Sequence, residues 1–397
     1  MKKDNIHFEH IKVKDLREFA ERVLGAAEKG QFIPITMQRA VAHANNPYAA
    51  KDDIGLLVAI DAHDEIVGYF GILPLLLRRD EEYFKVNWFT TWSVSPTVRG
   101  RGVGSRLMSE ALSLNQDYLI VGSVHARRVC RKHGFLEREP LLYYWLDASG
   151  MGHLNPIVWL RRAGRKMLHF VRLDKKIKIK INSPFTDSLD RWIAPVTKRF
   201  FYSRLMAAQT QLLAGIRFRE VEQLRGNPPT YPHRPDIELH RGVDAINWML
   251  QHPWIVETGK SISEEMEYYF SDARPLYRLI ALEVYSPEDE YVGFVVFSVT
   301  RKKQKIMLKT LDFRFVNPSD NRYALALAIH YGRRYQADTI ELPQEVADYV
   351  RDSLLGRLLL HRKKRIYQCM PADEDSPLAQ AWDDISLHLS DGDMAFS

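Results

Sequence analysis

Cysteine is nearly absent: Cys130 and Cys369 are the only two in 397 residues. Two thiols exclude a disulfide framework and a cysteine-based zinc site. The fourteen histidines are scattered without ligand spacing, so chemistry that needs no metal is expected. Long apolar runs are missing as well. The longest, around Tyr69–Leu77, is interrupted by Pro74 and falls far short of a bilayer span, so no transmembrane segment is expected. The opening Met1-Lys2-Lys3-Asp4 runs into polar residues rather than the apolar centre of a signal peptide. With so little cysteine, this points to a reducing cytoplasm.

What is present is ordinary globular material, 46% apolar and 27% charged. The length exceeds one core, so two domains and a connector are expected. The net charge of +6 is local. Nine Lys or Arg against the single acid Asp174 fall in 158–180, so that segment carries +8 and the rest of the chain −2. A run of this kind is usually a solvated face, but peripheral contact with an anionic surface is also open. It has too few aromatics for base stacking, and no specific nucleic acid is expected. From Asp373 onward there are seven acids and no Lys or Arg, which reads as a solvated or loosely docked acidic tail.

The periodicity organises the remainder. Ile11–Gly30 suits an amphipathic helix. Gly55–Asp61, Glu65–Leu77 and Tyr83–Ser95 alternate with short polar turns and read as an antiparallel meander. Gly102–Leu114 places Val103, Leu107, Ala111 and Leu114 on one helical face. A strand at Tyr118–Gly122, a short helix at His125–His133 and a strand at Leu141–Leu146 follow. After a turn-rich stretch, Asn227–Pro235, the same order returns from Asp236. Glu65-Ile66-Val67-Gly68-Tyr69 is echoed by Glu290-Tyr291-Val292-Gly293-Phe294, and Val94-Ser95-Pro96 by Val316-Asn317-Pro318. We read this as a divergent internal duplication.

The chemistry-bearing motif lies at the junction from the third meander strand to the helix, Ser93-Val94-Ser95-Pro96-Thr97-Val98-Arg99-Gly100-Arg101-Gly102-Val103-Gly104-Ser105. Three glycines in five residues permit positive φ and close approach by a ligand. Backbone N–H groups there, with the free donors that open the helix, make a cradle for an anion. Arg99 and Arg101 add charge suited to phosphate oxygens. Dinucleotide-binding and P-loop alternatives lack their context, since no parallel βαβ unit precedes the loop and no Lys-Ser/Thr closes it.

Here the sequence resembles the GNAT superfamily of acetyl-CoA-dependent N-acetyltransferases. Arg99-Gly100-Arg101-Gly102-Val103-Gly104 satisfies the signature Gln/Arg-x-x-Gly-x-Gly/Ala, and Val94-x-Pro96 matches its approach. The later family pattern aligns with Ser123 through Phe135, where Ala126, Lys132, Gly134 and Phe135 fit. The resemblance covers about residues 5–147. It implies that the backbone at Trp92, Ser93 and Val94 pairs with the pantetheine arm, and that Arg99, Gly100, Arg101, Gly102, Val103, Gly104 and Ser105 cradle the pyrophosphate. The family's usual Tyr acid is replaced by Cys130, which is either the catalytic acid or simply a core residue. Its usual Asn is replaced by Ser123. The usual carboxylate base is missing, since the strand offers Asn87, Thr90 and Thr91 instead. Trp88 and Trp92 are candidates to line the acceptor site.

The expected architecture is α+β: two GNAT-like domains, each a mixed, mostly antiparallel sheet flanked by helices. Residues 1–147 form the catalytic domain, 148–235 a basic connector, 236–371 a degenerate second domain without a glycine loop, and 372–397 the acidic tail. The expected reaction moves an acetyl group from acetyl-CoA, or another short acyl group from its acyl-CoA, to a primary amine such as an amino sugar or a small amine. A Fem-like aminoacyltransferase fed by charged tRNA and a non-catalytic acyl-CoA sensor are the alternatives.

Overall fold

The computed structural model describes residues 6–148, 199–200, 202–207, 209–225, 236–257 and 261–396. The basic run 158–180 and the turn-rich stretch 227–235 lie outside the described residues. The chain forms two compact units that are not consecutive in sequence: 1–141 with 220–281 and 364–397, and 142–219 with 282–363.

The first unit is built on the meander. Strands β1 (His7–Lys12), β2 (Ile54–Ile60), β3 (Ile66–Arg79) and β4 (Glu82–Val94) pair antiparallel in that order. β5 (Tyr118–Ile120) then pairs parallel with β4, and β6 (Leu136–Glu137) closes the far side. Alternation sends Leu57 and Ala59 to one face of the sheet and Leu56 and Val58 to the other. Both faces are covered, so β2 reads as a continuous apolar run. On one face α3 (Val103–Leu112) supplies Val103, Leu107, Met108 and Ala111 to a core with Phe70, Phe89 and Tyr118. On the other, α1 (Leu16–Ala26) supplies Leu16, Phe19 and Ala20, and α2 (Met37–Ala44) supplies Ala40. Helix α4 (Val124–Lys132) is capped by Ser123, whose hydroxyl accepts from the Ala126 N–H.

One local reading is corrected here, and one residue inside a correctly expected strand needs explaining. The expected helix over Ile11–Gly30 begins only at Leu16, because residues 7–12 pair along the open edge of β2. Pro74, a break in the apolar run, sits inside β3. Its strand tolerates the missing donor because pairing with β2 stops at Gly71, and the Asn46 side-chain amide donates to the Pro74 carbonyl at 2.8 Å.

The second unit repeats the plan. β12 (Tyr277–Tyr285), β13 (Tyr291–Lys302) and β14 (Lys305–Phe315) form a meander, followed by the helix Asn321–Arg334, β15 (Thr339–Pro343) and the helix Gln344–Arg351. Gly293 stands opposite Phe315 as Gly68 stands opposite Val94. Each fourth strand then leads into a 3-10 turn, at Pro96 and at Pro318. The duplication is therefore present in the backbone, and the fold is α+β with two mixed sheets flanked by helices.

Each sheet is finished by a strand from the other half of the sequence. β7 (Leu141–Asp147) pairs antiparallel with β15, and β16 (Leu360–Arg365) pairs beyond it; β8 (Arg217–Val221) closes the opposite edge on β12. In return β17 (Gln368–Met370) lies between β5 and β6 in the first sheet. β9 (Ile237–Leu239) pairs with the end of β3, and the short parallel pair β10 (Val256–Glu257) and β11 (Ala273–Arg274) stands apart. These pairings place residues 220–281 and 364–397 with the first unit rather than in consecutive blocks. The acidic tail is also not loose. Leu378, Ala381, Trp382, Ile385 and Asp391 are all buried in the first unit, because the apolar residues interleaved with the acids are spaced to pack.

Candidate functional site

The site of interest forms where β4 leaves its neighbours. Phe70 faces Trp92 and Ile72 faces Phe89, so β4 carries one extra residue at Thr90–Thr91, a bulge. Gly71 opposite is required by this approach: a Cβ there would lie 2.7 Å from Thr90. The parallel pairing with β5 runs only from Asn87 to Phe89. Beyond it, β4 continues to Val94 without β5 beside it.

The loop follows directly. Ser95 caps the 3-10 turn Pro96–Val98, and buried Val98 anchors it. Gly100 at φ +82° and Gly102 at φ +78° take the left-handed conformation that side chains disfavour. A Cβ at either would meet nothing within 4 Å, so this stretch of backbone faces open space. The first α-helical bond of α3 runs from Arg106 N–H to Gly102 C=O. The N–H groups of Val103, Gly104 and Ser105 therefore have no acceptor within the helix. Gly104 packs closely, since a Cβ would stand 3.3 Å from Val94 and 3.5 Å from Trp92. Its smallness lets the helix start against the strand end.

The remaining expected residues fall around this cradle. Trp92 packs on Phe70 with ring centroids 5.2 Å apart, and Ser93 is buried opposite Tyr69. The Arg99 guanidinium lies over the Tyr269 ring and donates to its hydroxyl. Ser105 Oγ and His133 Nε2 are 2.9 Å apart, which brings a histidine to the loop; His125 is exposed on α4. Cys130 has no exposed surface and sits in the core with Ile120 and Phe135. Burial pushes its thiol up to about 12.

Beside the bulge lies a cluster that sequence reasoning did not find. Arg39 is buried, with its guanidinium 4.1 Å from the Trp254 ring centroid, and its Nη1 donates to Thr90 Oγ1 at 3.3 Å. Its Nε has no hydrogen-bond partner, nor has either ring nitrogen of buried His43, the Tyr69 hydroxyl or the Tyr268 hydroxyl. Tyr69 stands close to Ser93 and the Tyr269 backbone without meeting hydrogen-bond geometry. Burial, reinforced by the Arg39 charge, pushes His43 down to about 3, and burial raises both tyrosines. Buried polar groups without partners are rare in folded proteins, and five such atoms belong to these four residues. A carboxylate is also present. Asp393 accepts from Trp88 Nε1 at 2.8 Å and from Thr90 Oγ1 at 2.7 Å. No local pattern could have revealed these partners, which lie some 300 positions apart; the expected role of Trp88 beside the acceptor was the one pointer.

The second unit keeps the bulge in its fourth strand, between Val296–Asp312 and Phe297–Thr310. It lacks the cradle. Residues 316–322 contain no glycine, and the Tyr349 hydroxyl donates to the Pro318 carbonyl at 3.2 Å. In the first unit, an open cleft of about 490 Å³ lined by Lys85, Asn87, Gln116 and Asp117 lies at the other end of β4 and shares no residue with the loop. Among the described residues no group of three or more His, Cys, Asp or Glu is placed to hold a metal ion. No described helix is long and apolar enough to cross a membrane.

Residues 52–137, the span from β2 through the glycine loop to β6, match the family model of the acetyltransferase (GNAT) domain. These residues are a GNAT domain. Among solved structures the chain is similar to a GCN5-related N-acetyltransferase from Anabaena variabilis, at 11% identity and a TM-score of 0.43, over 92% of this chain and 73% of that one. It is similar to a tandem GNAT protein of the clavulanic acid pathway, at 11% identity and TM-score 0.45, over 93% and 99%. It is also similar to Saccharomyces cerevisiae N-myristoyltransferase with bound myristoyl-CoA, at 10% identity and TM-score 0.44, over 93% and 84%. No curated protein sequence matches the chain. The GNAT domain holds every loop residue discussed above, and the bulge of its β4 bears the polar cluster.

Proposed function

We propose that the first unit transfers an acetyl or other short acyl group from acyl-CoA to a primary amine. The observation that carries this reading is the glycine cradle at the start of α3, set where β4 continues without β5. Open backbone at Gly100 and Gly102, with the first-turn N–H groups of α3, suits a pyrophosphate. Arg99 and Arg101 add positive charge beside it. The edge of Trp92–Val94, which no described strand pairs beyond β5, suits an extended amide-bearing arm such as pantetheine, as an added strand would. Transfer then depends on positioning amine and thioester together.

The acceptor belongs on the other side of the bulge, among Arg39, His43, Tyr69 and Tyr268, whose unpartnered polar atoms a hydroxylated or amine-bearing molecule would satisfy. Amino sugars and small polyfunctional amines fit this chemistry. Cys130 is given a packing role, because its thiol is buried among apolar side chains and held neutral. A non-catalytic acyl-CoA sensor, a carrier without turnover, is the second reading, favoured by the absence of a Tyr at that position.

The test is calorimetric titration with acetyl-CoA of the wild type and of the Gly102→Val, Gly104→Val double variant. Valine at φ +78° is strained, and at Gly104 it strikes Val94. Binding by the wild type alone, followed by thiol release with an amine panel, supports the transferase. Binding with no turnover on any amine supports the carrier. No binding by the wild type removes both.

A further inference from the structure

The first unit's β4 has no carboxylate between Tyr83 and Val94, yet the fold delivers one to its bulge. We infer that Asp393, carried to the β4 bulge by the C-terminal segment, is the general base that takes the proton from the acceptor ammonium. This rests on the transferase reading above and names the group that reading leaves open.

The delivery is built from several contacts, all within the first unit. Tyr367 donates to the His388 carbonyl and Arg365 to that of Leu389. Asp391, fully buried, forms an ion pair with Arg241 and accepts from the His388 N–H at 2.6 Å. Gly392 follows at φ +63°, its backbone laid so closely on the Trp88 indole that any Cβ would overlap the ring. Asp393 comes next, with one carboxylate oxygen on Trp88 Nε1 and the other on Thr90 Oγ1. The chain is thus pinned on both sides of a turn whose result is one oriented carboxylate.

Its location matters as much as its support. Thr90 is in the bulge, three residues from Ser93, at the point where β4 parts from β5. Its hydroxyl accepts from Arg39 while donating to Asp393, so Asp393 adjoins the cluster of unpartnered polar atoms. Each carboxylate oxygen has one protein donor and retains a lone pair for an incoming N–H. A base must lie within hydrogen-bond reach of the proton it removes, and an ammonium entering this cluster would meet Asp393.

The step balances as follows. The ammonium gives one proton to Asp393, and the freed lone pair attacks the thioester carbonyl carbon. The C–N bond forms and the C–S bond breaks. The second proton lost by the nitrogen goes to the departing sulfur, and Asp393 returns its own to water.

The experiment compares full-length wild type and Asp393→Asn with acetyl-CoA and two kinds of nucleophile. One is a panel of glucosamine, spermidine and free amino acids, which are ammonium ions at neutral pH. The other is hydroxylamine, which is already neutral there. The variant should bind acetyl-CoA as the wild type does and keep its hydroxamate yield, while kcat with ammonium acceptors falls about 10²- to 10⁴-fold. If asparagine weakens the fold, Asp393→Ala rescued by added formate gives the same answer. Equal turnover of both proteins on the ammonium panel would overturn the assignment, as would equal loss with both nucleophiles. A wild type that binds acetyl-CoA yet acetylates none of these also overturns it. A wild type that fails to bind acetyl-CoA sinks the transferase reading itself.

Discussion

Thr90 Oγ1 donates to Asp393 Oδ2 at 2.7 Å, across 303 positions of sequence. This contact ties the bulge of the GNAT domain to the far end of the chain. It makes the acceptor side of the site a product of tertiary structure, whereas the cradle on the other side is local.

The tie can be stressed without touching the carboxylate. In Gly392→Ala the added methyl must push the segment off Trp88. Turnover with ammonium acceptors should fall at least about tenfold, the effect of roughly 1.4 kcal/mol of lost positioning, with acetyl-CoA affinity unchanged. Steady-state kinetics beside calorimetry would check this. Wild-type kinetics in the variant would show that the Trp88 contact does not set the site.

Arg39 should act on the acceptor alone. Arg39→Met keeps much of the side chain's length against Trp254 and removes the donors. Hydrogen bonds to charged groups contribute about 1.5–3 kcal/mol, so the acceptor KM should rise by roughly 10- to 100-fold. A change in acetyl-CoA affinity instead would place Arg39 on the donor side.

His43 should be visible in acid denaturation. Its folded pKa is depressed to about 3 from the ordinary 6.5, chiefly by burial. Between those values the unfolded chain binds the extra proton, so stability falls as pH drops through that window, by up to about 1.4 kcal/mol per unit. His43→Phe should flatten the slope of unfolding free energy between pH about 6.5 and 3. An unchanged slope would mean that His43 is protonated in the fold.

Cys130 should be silent to thiol reagents while the protein is folded. Burial raises its thiol from the ordinary 9.0 to about 12, and the thiolate is the reactive form. Between these values the unfolded chain ionises first, so this group's contribution to stability is lost as pH rises through that window. Labelling should appear only on unfolding, and Cys130→Ala should keep kcat while costing about 1 kcal/mol of stability, near the value of one or two buried methylenes. Rapid labelling of the native protein would return Cys130 to the site.

What the sequence made readable was whatever depended on neighbours in the chain. The meander showed through its turns: Asp61 holds the first by accepting from the His63 and Glu65 N–H groups. The cradle showed through glycines whose positive φ is a local demand. The echoes of Glu65–Tyr69 in Glu290–Phe294 and of Val94-Ser95-Pro96 in Val316-Asn317-Pro318 exposed the duplication. Misreadings came where a distant partner decides the outcome. Ile11 and Lys12 fit the period of the helix that follows, but the open edge of β2 claims them with residues 7–10. Charge counting made the last residues look solvated, though partly buried Arg241 neutralises buried Asp391 and the intervening apolar residues pack. Nothing near Thr90 in sequence could announce Arg39 or Asp393.

The exchange of β7 and β17 also has a bearing on synthesis. As the chain emerges from the ribosome, the GNAT domain's β5 has no partner on its outer edge until residues 368–370 appear. Asp393 comes later still. The nascent first half thus carries an exposed strand edge for most of translation, a hazard for pairing with other chains. Its acceptor side is assembled only at the end, so a ribosome that stalls in the second half would release a protein with the donor cradle formed and no base.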